Sequence, residues 1–255
     1  MSGAVWITGA SSGLGAALAG RMSRAGRTVA TSARRGEALA ERAAADPGPG
    51  SLHPFALDIA DAAAVTAGVA AIERALGPIG QAVLNAGTHR PVDPRALKVE
   101  DFRALVELNL MGTVNCLAAV LPAMLARRRG RIAVVASVAG YRGLPTAAAY
   151  GMTKAGLVNM AEALRVELAP LGIVVQVVNP GFVRTPLTDR NQFPMPFLME
   201  PEAAAEAFFR GLQSDRFEIA FPRRFVLIMK LLRCLPAPLA FAVTRRMVAT
   251  ERAAS

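Results

Sequence analysis

The chain has 255 residues, of which 53% are hydrophobic and 19% are charged. This composition excludes an intrinsically disordered protein, and the length suits one α/β domain with a sizeable core. The net charge is +10, and +6 of it lies between Arg216 and Arg252, where eight basic residues face Glu218 and Glu251, so the tail is predicted to form a basic patch.

The chain has only two cysteines and two histidines, and neither these nor its opening residues indicate export or a metal site. Cys116 and Cys234 lie far apart, and the opening residues run directly into an apolar strand pattern instead of a charged-then-apolar signal segment. Both cysteines are therefore expected to be core thiols in the reducing cytoplasm. His53 and His89 have no cysteine or carboxylate partners at useful spacing, so we expect no metal site and assign both histidines ordinary structural roles.

Apolar runs rich in valine and isoleucine alternate along the chain with alanine-rich segments of helical spacing. This alternation predicts right-handed βαβ units and an α/β fold, a doubly wound parallel sheet of about seven strands with helices on both faces. The predicted strands lie near residues 4–8, 28–32, 52–57, 80–85, 131–137, 173–179 and 217–221. Ligands of such sheets bind at the carboxyl ends of the strands, so the segments that follow the strands form the candidate site.

A glycine-rich segment, TGASSGLG, follows the first predicted strand and opens a helix. Glycines let the backbone approach a diphosphate, and the helix amino terminus offers N–H groups to it, although a plain strand-to-helix turn has a similar composition. The predicted dinucleotide contacts in this segment are Gly9, Ser11, Ser12, Gly13, Leu14 and Gly15.

The second strand ends in Ala33-Arg34-Arg35, without the acidic residue that usually binds the adenosine ribose. Arg34 favours NADP(H), because arginine binds a 2′-phosphate through charge-assisted hydrogen bonds. Arg35 is the second choice for this contact. The alternative is that both arginines are simply solvated at a helix start.

Two further strand ends complete the predicted nucleotide site. Asp58, which precedes Ile59, could accept a hydrogen bond from the adenine amino group or cap the helix that starts near Asp61. The fourth strand ends in Asn85-Ala86-Gly87, whose glycine permits close approach of a cofactor. Its asparagine is expected mainly to tie strand ends together.

Tyr150 and Lys154 lie four residues apart in the apolar stretch AAAYGMTKAGL, in a chain with only two tyrosines and three lysines. Residues at this spacing share one face of a helix, and a neighbouring ammonium favours the phenolate and lowers the pKa of a tyrosine. Tyr150 is therefore predicted to act as a general acid and base, with Lys154 supplying the charge.

Ser137 lies thirteen residues before Tyr150, at the end of the predicted strand RIAVVAS, where its hydroxyl could polarise a substrate carbonyl. A Ser-His-Asp hydrolase is not indicated, because neither histidine sits at an obvious strand end near Ser137. Asn109 is out of place in an apolar helix. It could interrupt the helix and hold a water that links Lys154 to solvent, or it could be a satisfied polar core residue, and Asn115 is a rival for the role.

Taken together, these residues resemble the short-chain dehydrogenase/reductase family in its single-domain form. The resemblance spans residues 4 to about 222 and is carried, in family order and spacing, by Thr8-Gly9 through Gly15, Asn85-Ala86-Gly87, Asn109, Ser137, Tyr150, Lys154 and Pro180-Gly181. It implies a Rossmann-like sheet, with residues 1–222 as the dinucleotide-binding and catalytic domain. Residues 223–255 would form a C-terminal amphipathic helical extension of the same domain.

The resemblance also implies an oxidoreductase that passes hydride between a nicotinamide and a substrate carbon, interconverting a carbonyl and an alcohol. The implied catalytic set is Asn109, Ser137, Tyr150 and Lys154. The residues implied to line the nicotinamide are Pro180, Gly181, Val183 and Thr185, of which the last would bind the carboxamide. NADP(H) is preferred and NAD(H) remains possible, because Ser12 stands where NADP-using members usually carry a basic residue.

Residues 186–200 form the predicted substrate loop. Its large apolar side chains favour a bulky apolar substrate, unless they pack the loop onto the core; they are Phe193, Met195, Phe197, Leu198 and Met199. The rival function is a non-catalytic dinucleotide sensor or scaffold, since a fold alone does not establish chemistry.

The C-terminal extension departs from the family pattern. Charges and prolines interrupt it too often for a bilayer-spanning helix, but it could lie on an anionic membrane surface, cover the pocket as a lid, or contact another subunit. We expect a cytoplasmic homodimer that could contact the membrane peripherally, and leave a tetramer open. Nucleic-acid binding is not expected, because aromatic residues are few.

Overall fold

Seven parallel strands form one sheet, and each lies within two residues of its predicted bounds. The structure, a computed structural model, describes residues 3–190 and 195–253. The strands are β1 (Ala4–Thr8), β2 (Thr28–Ala33), β3 (Ser51–Ala56), β4 (Ile79–Leu84), β5 (Gly130–Val135), β6 (Ile173–Pro180) and β7 (Glu218–Phe221). The prediction of a Rossmann-like α/β fold is confirmed.

The strand order explains where ligands can bind. It runs β3-β2-β1-β4-β5-β6-β7, so the chain winds outward in one direction from β1 to β3 and in the other from β4 to β7. The connections that leave β1 and β4 therefore diverge, and a crevice opens between the carboxyl ends of these two strands. The glycine-rich segment follows β1 and Asn85 follows β4, so both lie at this crevice.

Helices cover both faces of the sheet. They are α1 (Gly13–Arg24), α2 (Gly36–Ala44), α3 (Ala62–Leu76), α4 (Val99–Leu105), α5 (Gly112–Ala126), α6 (Ala148–Leu168), α7 (Pro201–Leu212), α8 (Arg223–Cys234) and α9 (Ala237–Ala253). Helices α1, α2 and α7 bury apolar side chains on one face, and α3, α5 and α6 bury theirs on the other. Burial on both faces explains why the central strands are continuous apolar runs.

The segment from α4 to α5 is continuous helix, because a π-helical turn, Val106–Met111, joins the two. The resulting stretch Val99–Ala126 is long and apolar enough to cross a membrane by length and composition alone. In this fold it packs against the sheet, with Cys116, Val120 and Met124 buried in the core. Part of its apolar surface therefore covers the sheet, while Met111 and Val114 are exposed.

The C-terminal helices form a third apolar cluster at the β7 edge of the sheet. Phe225, Val226, Met229 and Leu232 of α8 pack against Val138 and Tyr141. The extension predicted to begin at residue 223 starts as α8 at that residue. Cys116 is a core thiol whose pKa burial raises to about 12, whereas Cys234 is exposed at the end of α8, so the prediction of two core thiols is wrong for Cys234.

Candidate active site

Two adjoining cavities lie at the carboxyl edge of the sheet. One is an open groove of about 1460 Å³ along the ends of β1, β2 and β4, and the other is a chamber of about 1000 Å³ between the end of β5, α6 and α8, both volumes including the open mouth. Leu187 lines both cavities. A molecule in the groove can therefore reach one in the chamber.

The groove gathers most of the residues predicted to hold a dinucleotide. They are Gly9, Ser11, Ser12, Gly13, Leu14, Gly15, Arg34, Arg35, Asp58, Ile59, Asn85, Ala86, Gly87 and Thr185. Gly181 lines the chamber instead, and Pro180 and Val183 line neither of these two cavities. Five separate chain segments thus converge on one groove.

The glycine-rich turn is drawn tightly against its surroundings. Gly9 has a φ of +69°, and a Cβ on it would come within 2.7 Å of the Ala86 Cα. Gly13 has a φ of +57°, and its Cβ would lie 2.9 Å from the Thr185 methyl carbon. Side chains at these two positions would be strained and would fill space beside the groove, so glycine is required for the backbone to form its floor.

The amino terminus of α1 faces this groove. Within the described part of the chain, the Ser12 side chain forms no capping hydrogen bond, and the first turn of α1 contains no acidic residue. Its N–H groups and the positive end of the helix dipole suit a diphosphate. The residues present therefore fit a dinucleotide.

Asn85 ties strand ends together, as the sequence predicts. Its Nδ2 donates to the carbonyl oxygens of Thr8 at 3.0 Å and Gly9 at 3.3 Å. Asp58 accepts from the backbone N–H of Ala60 at 3.0 Å, while Asp61 is the residue that caps α3, by accepting from Ala64. The capping alternative for Asp58 is therefore wrong, and its carboxylate lines the groove.

Arginines surround the glycine-rich turn. The Arg35 guanidinium donates to the hydroxyls of Ser11 at 3.2 Å and Ser12 at 3.3 Å, and the Arg42 Nε donates to the Ser11 carbonyl at 2.9 Å. Ser12 replaces the basic residue that the family pattern places inside the turn, but Arg35 brings a positive charge to the same place from β2. Sequence reasoning missed Arg42, because its approach to Ser11 depends on how α2 packs.

Tyr150 and Ser137 meet on the wall of the chamber. Burial raises the pKa of the Tyr150 phenol, and a hydrogen bond with the Ser137 hydroxyl partly offsets this by lowering it. The phenol therefore keeps its proton at neutral pH. The Ser137 hydroxyl also accepts the backbone N–H of Ala139 at 3.1 Å, which fixes its position after β5.

Lys154 lies beneath the tyrosine, on the same face of α6, as the four-residue spacing predicts. Its Nζ is 5.5 Å from the centroid of the Tyr150 ring and donates to the Val135 carbonyl at 2.9 Å. Burial lowers the pKa of Lys154 to about 8. The expectation that the ammonium sets the pKa of Tyr150 is not met, because desolvation outweighs a charge at this distance.

Asn109 is fully buried at the π-helical turn between α4 and α5. Its Oδ1 accepts the Thr88 N–H at 2.8 Å, and its Nδ2 donates to the Thr88 carbonyl at 3.0 Å and the Thr153 hydroxyl at 3.1 Å. The π-helical turn interrupts the α-helical hydrogen-bond pattern here without breaking the helix, so one alternative is met in part, and the side chain is satisfied within the protein, as the other predicted. Asn115 instead donates to the Ile59 carbonyl at 2.9 Å and supports the groove from outside.

His89 is a chamber residue that sequence reasoning assigned to an ordinary structural role. Its ring packs edge-on against Tyr150, with 4.7 Å between the ring centroids, and burial lowers its pKa. The chain around it is held by the bonds from Asn109 to Thr88. Its position two residues after Asn85-Ala86-Gly87, at a strand end, was the available signal.

The far wall of the chamber comes from α8, through Phe225 and Met229. A Cβ on Gly181 would come within 2.7 Å of the Phe225 ring, so this glycine is needed for α8 to pack closely.

The predicted substrate loop contributes Leu187, Thr188 and Pro196 to the chamber, whereas Phe197 stacks on Phe225 and is 43% exposed. Phe193 lies outside the described residues. The loop therefore lines the chamber, but mostly through residues other than those predicted.

Among residues 3–190 and 195–253, no three His, Cys, Asp or Glu side chains are placed to hold a metal ion. The polar groups around the apolar chamber include the hydroxyls of Ser137 and Tyr150, the Lys154 ammonium and the His89 imidazole, while the charged side chains of Arg34, Arg35 and Asp58 line the groove. This arrangement suits proton transfer beside a bound dinucleotide.

A family profile and similar known proteins point to the same class of protein. The sequence profile described as short chain dehydrogenase matches residues 3–194. The chain is 38% identical over 242 residues to an uncharacterized oxidoreductase of Myxococcus xanthus, covering 94% of this chain and 96% of that protein. It is 34% identical over 226 residues to a 2-dehydro-3-deoxy-L-rhamnonate dehydrogenase (NAD(+)) of a Sphingomonas species, covering 84% and 90%.

Among solved structures, the fold is similar to a short-chain dehydrogenase from Sphingobium yanoikuyae in complex with NADPH. The TM-score is 0.79 at 28% identity, and the match covers 92% of this chain and 97% of that one. The chain therefore belongs to the short-chain dehydrogenase family. It is an oxidoreductase that acts on CH–OH groups and uses a nicotinamide dinucleotide.

Proposed function

We propose that the protein is an NADP(H)-linked carbonyl reductase or alcohol dehydrogenase for a bulky apolar substrate. The observation that carries this proposal is that Tyr150 and Ser137 share the wall of an apolar chamber that adjoins the dinucleotide groove at Leu187. Leu144, Phe182, Phe225 and Met229 make the rest of that wall hydrophobic. Apolar walls with a few converging polar groups are typical of a small-molecule site.

The dinucleotide, when bound in the groove, supplies or accepts the hydride. In reduction, Tyr150 donates its phenolic proton to the substrate oxygen, and Ser137 holds that oxygen by a hydrogen bond. Lys154 supplies positive charge under the phenol and a donor for the ribose, and Asn109 holds the Thr88 backbone beside it. Burial keeps the phenol protonated, so Tyr150 is in the form that can donate a proton to a substrate carbonyl at neutral pH.

Preference for NADP(H) is supported by the charge around the end of β2. Arg34 and Arg35 line the groove, Ala33 replaces the acidic residue that would repel a 2′-phosphate, and Arg35 adds a charge beside Ser12. Arginine binds phosphate through charge-assisted and often bidentate hydrogen bonds.

The test is a panel of apolar ketones, aldehydes and secondary alcohols, followed at the nicotinamide absorbance with both cofactors. We expect Tyr150→Phe to lower kcat by about 100-fold or more, since general acid catalysis typically contributes that much, while NADPH binding is kept. The other tyrosine provides the control for loss of a phenol hydroxyl: Tyr141 bonds Glu218 and lies outside the catalytic set, so Tyr141→Phe should lower stability but keep turnover. Ordinary turnover by Tyr150→Phe on a confirmed substrate would refute the assignment.

A further inference from the structure

The two C-terminal helices leave a large apolar surface uncovered. Five large hydrophobic side chains on the outward sides of α8 and α9 are about half exposed or more, and we call them the outer C-terminal face: Leu227, Ile228, Leu231, Leu239 and Val243. We infer that the outer C-terminal face binds an anionic lipid surface. Clusters of large exposed apolar side chains mark interaction sites in soluble proteins.

Helix α8 is apolar on two opposite sides. Phe225, Val226, Met229 and Leu232 are buried against the domain, while Leu227, Ile228 and Leu231 point the other way, with Leu227 and Leu231 each 60% exposed. A helix that only covers a core needs one apolar side and a polar one. The second apolar side therefore has no use within the domain.

Helix α9 repeats the pattern. Among its described side chains, Ala240 and Thr244 are buried on one side of the helix, whereas Leu239 and Val243 on another side are 56% and 48% exposed. Phe241 points away from Leu239, and its ring centroid lies 5.8 Å from the Arg142 guanidinium carbon. The side of α9 that carries Leu239 and Val243 therefore presents large side chains to solvent, while the small ones are buried. This is the reverse of what burial in the domain would favour.

The charges around this face are of one sign. Residues 223–245 contain Arg223, Arg224, Lys230, Arg233 and Arg245 and no acidic residue. Lys230 is paired with Glu218, but the arginines at both ends of α8 are exposed next to the leucines. Their long stems can lie along apolar surface while the guanidinium groups reach phosphate groups above it.

This charge pattern selects a lipid surface over a second copy of the chain. If two copies met through this face, each would bring the same set of cations to the contact, and residues 223–245 offer no carboxylate to neutralise them. An anionic bilayer offers apolar depth for the leucines and negative headgroups for the arginines. An interfacial helix of this composition lies in the plane of the membrane instead of spanning it.

If the proposed function holds, docking on a membrane would bring the substrate chamber close to the lipid. Phe225 and Met229 of α8 line the chamber, one helical thickness away from Leu227 and Leu231. Docking would therefore place the substrate chamber next to the lipid, where apolar ketones and alcohols concentrate. Binding to vesicles can be measured without any substrate, so a failure of the proposed function would leave this inference testable.

The experiment is sedimentation of the full-length protein with vesicles of equal parts phosphatidylcholine and phosphatidylglycerol, and with phosphatidylcholine alone. We expect binding to the anionic vesicles only, and weaker binding as salt rises, because screening shortens the reach of the arginines. The double variant Leu227→Ser, Leu231→Ser should lose about tenfold or more in partition coefficient, since each buried leucine contributes apolar area.

The matched control is Leu171→Ser, Val166→Ser, which removes two exposed apolar side chains elsewhere. It should sediment like the wild type, and both variants should keep the wild-type circular dichroism spectrum and NADPH affinity. No sedimentation of the wild type, or equal sedimentation of the wild type and Leu227→Ser, Leu231→Ser, would overturn the inference. The inference would also be overturned if the wild type bound no vesicles and light scattering showed that it is a dimer and the double variant a monomer. The outer C-terminal face would then join two copies of the chain.

Discussion

Lys154 is a buried ammonium, 4% exposed, whose one hydrogen bond to protein in the structure is to the Val135 carbonyl. Burial disfavours its charged form, and this lowers its pKa from 10.5 to about 8. A charge that is held at an energetic penalty is typical of functional residues. Burying the Lys154 ammonium therefore costs stability, and the proposed function requires it.

This conflict predicts a pH-dependent stability that Lys154→Met should remove. Because the folded pKa lies below the unfolded one, the unfolded chain binds more protons between about pH 8 and 10.5, and folding becomes more favourable as pH rises through this window. From pH 7 to 10, the wild type should gain about 2 to 3 kcal/mol in the free energy of unfolding relative to Lys154→Met. Urea denaturation of both proteins at the two pH values measures this difference.

The exposed lysine Lys98 provides the control for this experiment. Lys98→Met removes an exposed lysine and keeps Lys154, so it should retain the wild-type gain in stability between pH 7 and pH 10. The same pH slope in Lys154→Met and the wild type would contradict the prediction.

Cofactor choice also belongs to single residues. Arg34→Ala should raise the dissociation constant of NADPH about tenfold or more and change that of NADH little, because one charge-assisted hydrogen bond to phosphate is worth about 1.5 to 3 kcal/mol. Arg35→Ala should act in the same direction and also loosen Ser11 and Ser12, to which its guanidinium donates.

Titration of nicotinamide fluorescence with each cofactor measures these affinities, with Arg103→Ala, an exposed arginine on α4, as the control. Equal losses for NADPH and NADH in Arg34→Ala would refute a contact with the 2′-phosphate. Unchanged affinities in both arginine variants would count equally against it.

At the scale of elements, α8 is the part of the fold that shapes the substrate chamber. Its inner side reaches the chamber and its position is fixed by Glu218 on β7. The Glu218 carboxylate is paired with Lys230 of α8 and accepts from the Tyr141 hydroxyl and, at 2.8 Å, from the Asn179 amide. Burial raises the pKa of Glu218, but the hydrogen bonds from Lys230, Tyr141 and Asn179 outweigh it, so the net pKa is lowered.

Glu218→Gln should therefore loosen α8. We expect a loss of about 1 to 3 kcal/mol in stability at pH 7, since a partly buried charged hydrogen-bond network is broken. A carboxylate with a depressed pKa contributes stability above its unfolded pKa and loses it as pH falls through the folded pKa, so the difference between the variant and the wild type should shrink as the solution is acidified through the folded pKa of Glu218.

Thermal denaturation at pH 7 and in acid tests this, with Glu200→Gln as the matched control. Glu200 pairs with Arg184, and both side chains are more than half exposed, so its loss should change stability by less than about 0.5 kcal/mol. If the two glutamine variants melted alike at pH 7, the anchoring role of Glu218 would be wrong.

At the scale of the whole molecule, one sheet brings distant segments to one edge. The glycine-rich turn, the arginines after β2, Asp58, Asn85 and Thr185 come from five places in the chain and line a single groove. They meet because parallel strands all end at the same edge and because the strand order reverses between β1 and β4. The site is therefore a property of the sheet, and each segment alone is only a turn.

The sequence by itself was sufficient for the strands, their parallel arrangement and the groove. Alternating apolar runs define buried parallel strands, and the segments after them must share one edge, so Gly9, Asn85, Ser137 and Tyr150 could be assigned by position alone. The spacing of Tyr150 and Lys154 fixed their common face, because it depends only on the helical repeat.

Tertiary structure alone decided the environment of these groups and the walls around them. The pKa of Tyr150 depends on how much water surrounds it, which no local pattern reports, and desolvation reversed the expected direction. His89, Arg42 and α8 reach the two cavities through contacts between elements that are far apart in the chain. Local periodicity determines where elements begin and which face is apolar, but solvent exclusion and long-range packing determine what each side chain meets.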